Sequence, residues 1–215
     1  IPAHIWTPWF SLFGANSGFD HIEECFEDLT SHIFALETGL SSDPPMNWMC
    51  SQLDPFTLVS NSDAHSPSKL GREANFFSCE FSYPGLFDAL KKGDGFLGTL
   101  EFYPDEGKYH LDGHSKCNLR LSPEQTIEFK GICPLCGGKI TTGVLHRVGE
   151  LADRKAGEKP PRYFPFRNLI GLETILGEVL GLRAGSKKVE TEYFSTLKKF
   201  GSELEILSNT TLEDL

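Results

Sequence analysis

No apolar run in the chain approaches the ~18 residues that a membrane-spanning helix requires, so no bilayer segment is expected. The opening stretch, IPAHIWTPWF, lacks the charged region and the small-residue cleavage site of a secretory leader. With no sign of export, the 6 cysteines are expected as cytosolic thiols, and clustered ones as metal ligands before disulfides. A cytoplasmic location follows as an expectation. Basic residues are scarce in residues 1–100, which hold 4 Lys+Arg against 13 Asp+Glu, and the whole chain has a net charge of -10. That balance argues against indiscriminate nucleic-acid binding. It leaves room for one local basic patch, or for an acidic half that collects cations. Internal repeats and long low-complexity tracts are also missing. What is present is 39% hydrophobic and 12% aromatic, enough for a core, so wholesale disorder is excluded.

Local patterning predicts several elements. Residues 18–29 (GFDHIEECFEDL) carry apolar side chains at helical spacing, with Asn16 or Ser17 as the cap. Residues 32–37 and 56–60 read as short buried strands, with a short helix near 46–53 between them. PGLFDALKK reads as a helix ended by Gly93, and residues 95–103 as a strand. Alternating strands and helices imply an α/β architecture with a largely parallel sheet. The expected division is 1–104, a Gly-, His- and Cys-rich module over 105–150, and a linker with C-terminal helices over 151–215. Two or three helices are expected in 166–207, including Leu172–Leu180 and Thr191–Phe200.

Three predicted strand ends carry polar groups suited to metal: His4 in PAHIW, Glu37 in FALETG, and Asp63 with His65 in SNSDAHS. Active-site residues of parallel α/β folds occupy such ends. Imidazole and carboxylate suit Zn, Mn or Fe, and such ions activate water or clamp phosphate. The alternative is a set of ordinary loop polars, with Asp63 in a turn before Pro67.

A second constellation is His114-x2-Cys117, then Cys133-x2-Cys136. This is the spacing of a structural tetrahedral zinc module with three Cys and one His. His110 competes with His114 for the fourth position. Cys25, Cys50 and Cys79 lie in apolar surroundings and read as buried small hydrophobes.

Trp6, Trp9, Phe10 and Phe13 follow His4 directly and can stack on an extruded base or fill the core. Trp6 and Trp9 are the ones expected to be exposed. Residues 139–188 hold 10 basic and 5 acidic residues. Arg147 is a candidate phosphate contact there, and so are Lys187 and Lys188 beside the turn-like LGLRAG.

PAH after a strand, a strand ending in Glu, and SDAH after a strand resemble the later motifs of the PHP (polymerase and histidinol phosphatase) phosphoesterases. Longer segments resemble the endonuclease Q branch of that family: IPAHIWTPWFSLFG, FALETGLSSDPPMNW, SNSDAHSP, KLGREAN, EGKYHLDGH, GICPLCG and GVLHRVGELADR. The resemblance implies the later part of a distorted TIM-like (β/α)7 barrel, a small zinc module and a helical region. It implies a metal-dependent nuclease cutting DNA 5′ to deaminated bases or abasic sites. Asp63 and His65 would be catalytic, His4, Glu37, Asp63 and His65 would hold divalent metal (Zn, Mn, Mg or Fe), and replication or repair proteins would be partners. The family's first His-x-His motif is absent, so a fragment with an incomplete metal site is expected. Two other readings remain: a non-catalytic zinc-stabilised DNA-binding module, and a small-molecule phosphoesterase on the same barrel.

Overall fold

Residues 1–211 are described by the structure, a computed structural model. The chain divides into two units, Ile1–Asn168 and Leu169–Leu215.

The first unit opens with a loop, not a strand. Its Ile5 N–H donates to the Glu37 carbonyl and its Pro2 carbonyl accepts from Glu37 N–H, both at 3.1 Å. The opening segment is thereby laid along β1 (Ala35–Glu37). The expected helix over 18–29 is only one turn long, α1 (Ile22–Phe26). Residues 18 and 19 bond back to Gly14 and Leu12, and Glu27 at φ 47 turns the chain into a 3-10 segment, Glu27–His32. α2 (Pro44–Trp48) starts at Asp43, whose side chain accepts from Met46 N–H. β2 (Thr57–Val59) pairs with β1 in parallel.

A strand not foreseen from the sequence, β3 (Ala74–Phe77), precedes α3 (Tyr83–Lys92). α3 ends as expected at Gly93, which at φ 88 closes it in the left-handed region, and Ser82 caps its start. β4 (Phe96–Glu101) follows. It pairs antiparallel with β3 and parallel with β7 (Phe166–Asn168), so the expectation of a largely parallel sheet holds only in part. β7 also falls where a helix was expected. Its FRN sequence has no strand pattern of its own, and it is extended because the exposed side of β4 supplies its hydrogen bonds.

Between β4 and β7 lie a short hairpin, β5 (Asp112–His114) with β6 (Leu119–Leu121), then α4 (Pro123–Glu128) and α5 (Val144–Leu151). α5 buries Val144 and Val148 in the main core with Ile5, Trp6, Phe13, Leu36 and Leu53. A separate small core gathers Leu121, Cys133 and Ile140.

The second unit contains α6 (Leu172–Leu180), α7 (Lys187–Phe200) and α8 (Glu203–Asn209). α7 begins four residues earlier than the sequence reading. Glu203 accepts from Leu172 N–H at 2.7 Å and from the Tyr193 hydroxyl at 2.8 Å, which joins all three helices through one carboxylate. Among the described residues no helix is long and apolar enough to cross a membrane.

Candidate metal centre and strand-end site

The zinc-type spacing closes into a real cluster. Donor atoms of His114, Cys117, Cys133 and Cys136 all lie within 4.8 Å of one another. His114 Nδ1 is 3.5 Å from Cys136 Sγ, close to the edge of a tetrahedron with metal bonds of about 2.0–2.3 Å. β5 presents His114, the following 3-10 turn presents Cys117, and the CPLCGG knuckle presents the last two. The knuckle is held by Cys133 N–H to the Gly138 carbonyl at 2.7 Å and Gly137 N–H to the Cys133 carbonyl at 2.9 Å. A Cβ on Gly138 would lie 2.9 Å from His114 Nε2, so only glycine fits beside that ring. Three sulfurs and one imidazole are a donor set for a borderline-soft ion in a closed site. His110 is engaged elsewhere: its ring faces the Ser41 carbonyl and Asp105, each at 3.1 Å. The fourth position therefore falls to His114.

At the strand ends the arrangement is looser. His4 N–H donates to Glu37 Oε2 at 2.6 Å, and Asn61 Nδ2 donates to Glu37 Oε1 at 2.8 Å. Asp63 and His65 follow β2 on an exposed loop, with His65 Nδ1 2.8 Å from the Asp63 carbonyl. Among the described residues, the Cys/His cluster is the one set of three or more donors gathered to hold a metal. His4 meets Glu37 and His65 meets Asp63, but the four do not by themselves form such a set.

Two of these four are held at positive φ, His4 at 32 and Asp63 at 45. Non-glycine residues there are strained, and such strain concentrates at functional sites. The loop that carries Asp63 is tied down tightly. Arg72 Nε donates to the Ser62 carbonyl at 2.8 Å, and Ser62 Oγ accepts from Gly71 N–H at 3.0 Å and donates to the Glu73 carbonyl at 3.1 Å. His4 is accommodated by Gly39, itself at φ 71, where a Cβ would lie 3.0 Å from His4 Cβ. Gly39→Ala is therefore expected to destabilise the protein by about 1–2 kcal/mol and to displace His4. Denaturant unfolding and the His4 ring resonances check this.

Two expected DNA contacts are corrected. Trp6 is 2% exposed, stacked at 5.0 Å on Phe13 and donating from Nε1 to Asn47 Oδ1 at 2.8 Å. Its ring fills the core because the loop after His4 folds inward. Trp9, 43% exposed, keeps an open face, and Phe10 stands out further at 92%. Arg147 is also spent internally. It donates to the Phe13 and Phe19 carbonyls at 2.9 and 3.1 Å and pairs with Asp20 and Glu150. That guanidinium clamps α5 to the N-terminal loop and holds the Asp20 carboxyl below its ordinary range. Lys187 and Lys188 are exposed in the first turn of α7.

The sequence reading missed two carboxylates. Glu101 ends β4 as Glu37 ends β1, fully buried, with Thr38 Oγ1 donating to Oε2 at 3.0 Å. Burial pushes its carboxyl up to about 7 against the hydrogen bonds from Thr99 and Thr38. Glu73, within KLGREAN, is pushed up to about 8 by burial and by the charges of Glu101 and Glu37. An apolar strand ending in Glu was the available signal for Glu101. Nothing local marked Glu73.

No family model matches the chain. It is 36% identical over 218 residues to an uncharacterized protein of Methanocaldococcus jannaschii, covering 97% of this chain and 27% of that protein. It is 34% identical over 222 residues to the uncharacterized protein YqxK of Bacillus subtilis, covering 100% of this chain and 51% of YqxK. Two solved structures share this fold, and one of them is described as a lesion-specific endonuclease. Both of the solved structures this chain matches are of endonuclease Q. The Pyrococcus furiosus enzyme matches 99% of this chain and 52% of its own at 35% identity, with TM-score 0.84. Endonuclease Q in complex with a 27-mer duplex bearing an abasic lesion at its active site matches at 35% identity and TM-score 0.87, over 99% of this chain and 53% of that one. The resemblance to endonuclease Q thus holds along the chain, and PHP membership is consistent with it. The chain spans about half the length, or less, of the proteins it matches.

Proposed function

We propose that this chain is part of a metal-dependent DNA repair endonuclease, nicking 5′ to deaminated bases (uracil, hypoxanthine, xanthine) or to abasic sites. The observation that carries the reading is the match over 99% of the chain to an endonuclease Q structure bound to lesion-containing duplex. In this reading Asp63 and His65 face the scissile phosphate. His4, Glu37, Asp63 and His65 are this chain's share of a divalent-metal site (Zn, Mn, Mg or Fe), which would supply an activated water. Because the four do not gather into one donor set, no hydrolytic step is assigned to them alone. Zinc is the ion of the Cys/His cluster, in a structural role.

An open cleft of about 410 Å³ beside His4, lined by Phe10, Ser11, Phe19 and Phe26 among others, is the place for an extruded base. Poorly paired bases leave the stack at lower cost, which favours lesions. Trp9 and the lysines 187 and 188 are the contacts to DNA that stay available. The barrel part, the zinc module and the helical tail are proposed as the working divisions, with a cytoplasmic location and repair or replication proteins as partners.

The test is nicking of duplexes containing one uracil or one abasic site, with Mn²⁺ or Mg²⁺, by the protein and by Asp63→Asn. Asn tolerates the left-handed backbone that Asp63 adopts, so the change removes charge without new strain. Nicking 5′ to the lesion by the protein and none by the variant is the expected result. The loose strand-end geometry favours a second reading, a zinc-stabilised DNA-binding module without catalysis. Lesion-DNA binding that Asp63→Asn leaves intact, with no nicking by either form, would select it.

A further inference from the structure

β2 and β3 belong to different sheets and share no ladder pairing. The Asn75 side chain joins their ends. Asn75 Oδ1 accepts from Ser60 N–H at 3.0 Å, and Asn75 Nδ2 donates to the Ser60 carbonyl at 2.7 Å. The amide thus reproduces, from a side chain, the two-bond pairing that a neighbouring strand would make. Its second N–H goes to Asn61 Oδ1 at 3.1 Å. That contact fixes which way the Asn61 amide points, and Asn61 Nδ2 then donates to Glu37 Oε1 at 2.8 Å. With His4 N–H on Oε2, both oxygens of Glu37 are oriented by donors from two other parts of the fold. Both N–H groups and the oxygen of Asn75 are used, so its orientation has no free alternative.

We propose that Asn75 and Asn61 are positioning residues: a two-amide relay that sets the orientation of the Glu37 carboxylate at the strand-end site. The relay rests on the endonuclease reading above. Asn61 is exposed, and among the described residues its side chain bonds to Asn75 and Glu37 alone. Its removal therefore leaves the inter-sheet stitch in place.

The two contributions separate in a double-mutant cycle on the whole protein, using a duplex with one abasic site and Mn²⁺. Asn61→Ala is expected to lower the single-turnover nicking rate roughly 10- to 100-fold, as small displacements of a reacting group do. The DNA concentration at half-saturation and the melting temperature should stay unchanged. Asn75→Ala should lower the rate equally and also lower the melting temperature, since it cuts the stitch. The double variant should be no slower than Asn75→Ala alone. Full activity in Asn61→Ala, or rate losses that multiply, overturns the relay and leaves the endonuclease reading standing. Absence of nicking in the unaltered protein overturns both.

Discussion

Removing the ion from the His114–Cys117–Cys133–Cys136 cluster is expected to unfold residues 114–140 while β1 and β2 stay protected. The segment has little else to hold it. Its apolar core is Leu121, Cys133 and Ile140, flanked by Cys117 and Leu119, so two of its five members are themselves ligands. Its regular structure is one three-residue hairpin, one short helix and an isolated bridge between Ile132 and Lys139. Structural zinc contributes roughly 10–16 kcal/mol to such modules, far more than this burial can supply. Without the ion the crowded thiols offer no substitute. Hydrogen bonding to Cys136 first, then burial, pushes the Cys117 thiol up to about 11. The unfolding should stop at Asp112. That carboxylate is fully buried, accepts from Gly143 N–H at 2.5 Å and lies 2.6 Å from His146 Nδ1, which anchors β5 to α5 independently of the metal. Metal analysis and hydrogen exchange check this: one zinc per chain, lost in Cys133→Ser, with fast exchange confined to 114–140. Unchanged protection after complete metal removal would sink the idea.

This cluster was legible in the sequence because its information is local. A His-x2-Cys pair, a Cys-x2-Cys pair and a glycine-rich knuckle specify a fold around an ion with no help from the rest of the chain. α3 was legible for the same reason, since Pro84 and Gly93 mark its ends by their own backbone preferences. Spacing favoured His114 over His110, and the structure adds the reason, since Ser41 and Asp105 draw His110 away. The failures turn on such distant contacts. Trp6 read as exposed because it adjoins a motif, yet its burial is decided by Asn47, 41 positions on. Arg147 read as a phosphate contact because it is basic and motif-like, yet its partners are two carbonyls more than 120 positions back. β7 became a strand only because β4 had a vacant side. The strand-end residues were singled out one by one, since each follows an apolar stretch, but their mutual distances are set by the fold, and a sequence does not show that.

Glu73→Gln is expected to flatten the pH dependence of stability and to make the protein more stable than its parent at pH 8 and above. Glu73 is 2% exposed. Its Oε1 accepts from Phe102 N–H at 3.2 Å, while Oε2 has no partner among the described residues. Burial raises its carboxyl from 4.5 to about 8, so between those values the folded protein holds a proton that the unfolded chain has released. Stability then falls as pH rises through that window. The full effect is on the order of 5 kcal/mol, reached once the folded form must ionise. Glu101, raised to about 7, adds a slope of the same sign over the lower part of the window. Asp20 and Asp153 act oppositely and elsewhere. Arg147 and the Ser51 hydroxyl hold them below 3.8, so their contribution is lost only as pH falls through more acid values. Stability should therefore peak on the mildly acid side and decline toward pH 9. Glutamine can keep the bond from Phe102 and cannot ionise, so it should remove the largest part of that decline. Urea unfolding from pH 5 to pH 9 separates the cases. If variant and parent curves run parallel, Glu73 enters the folded state already ionised and some compensating cation must lie beside it.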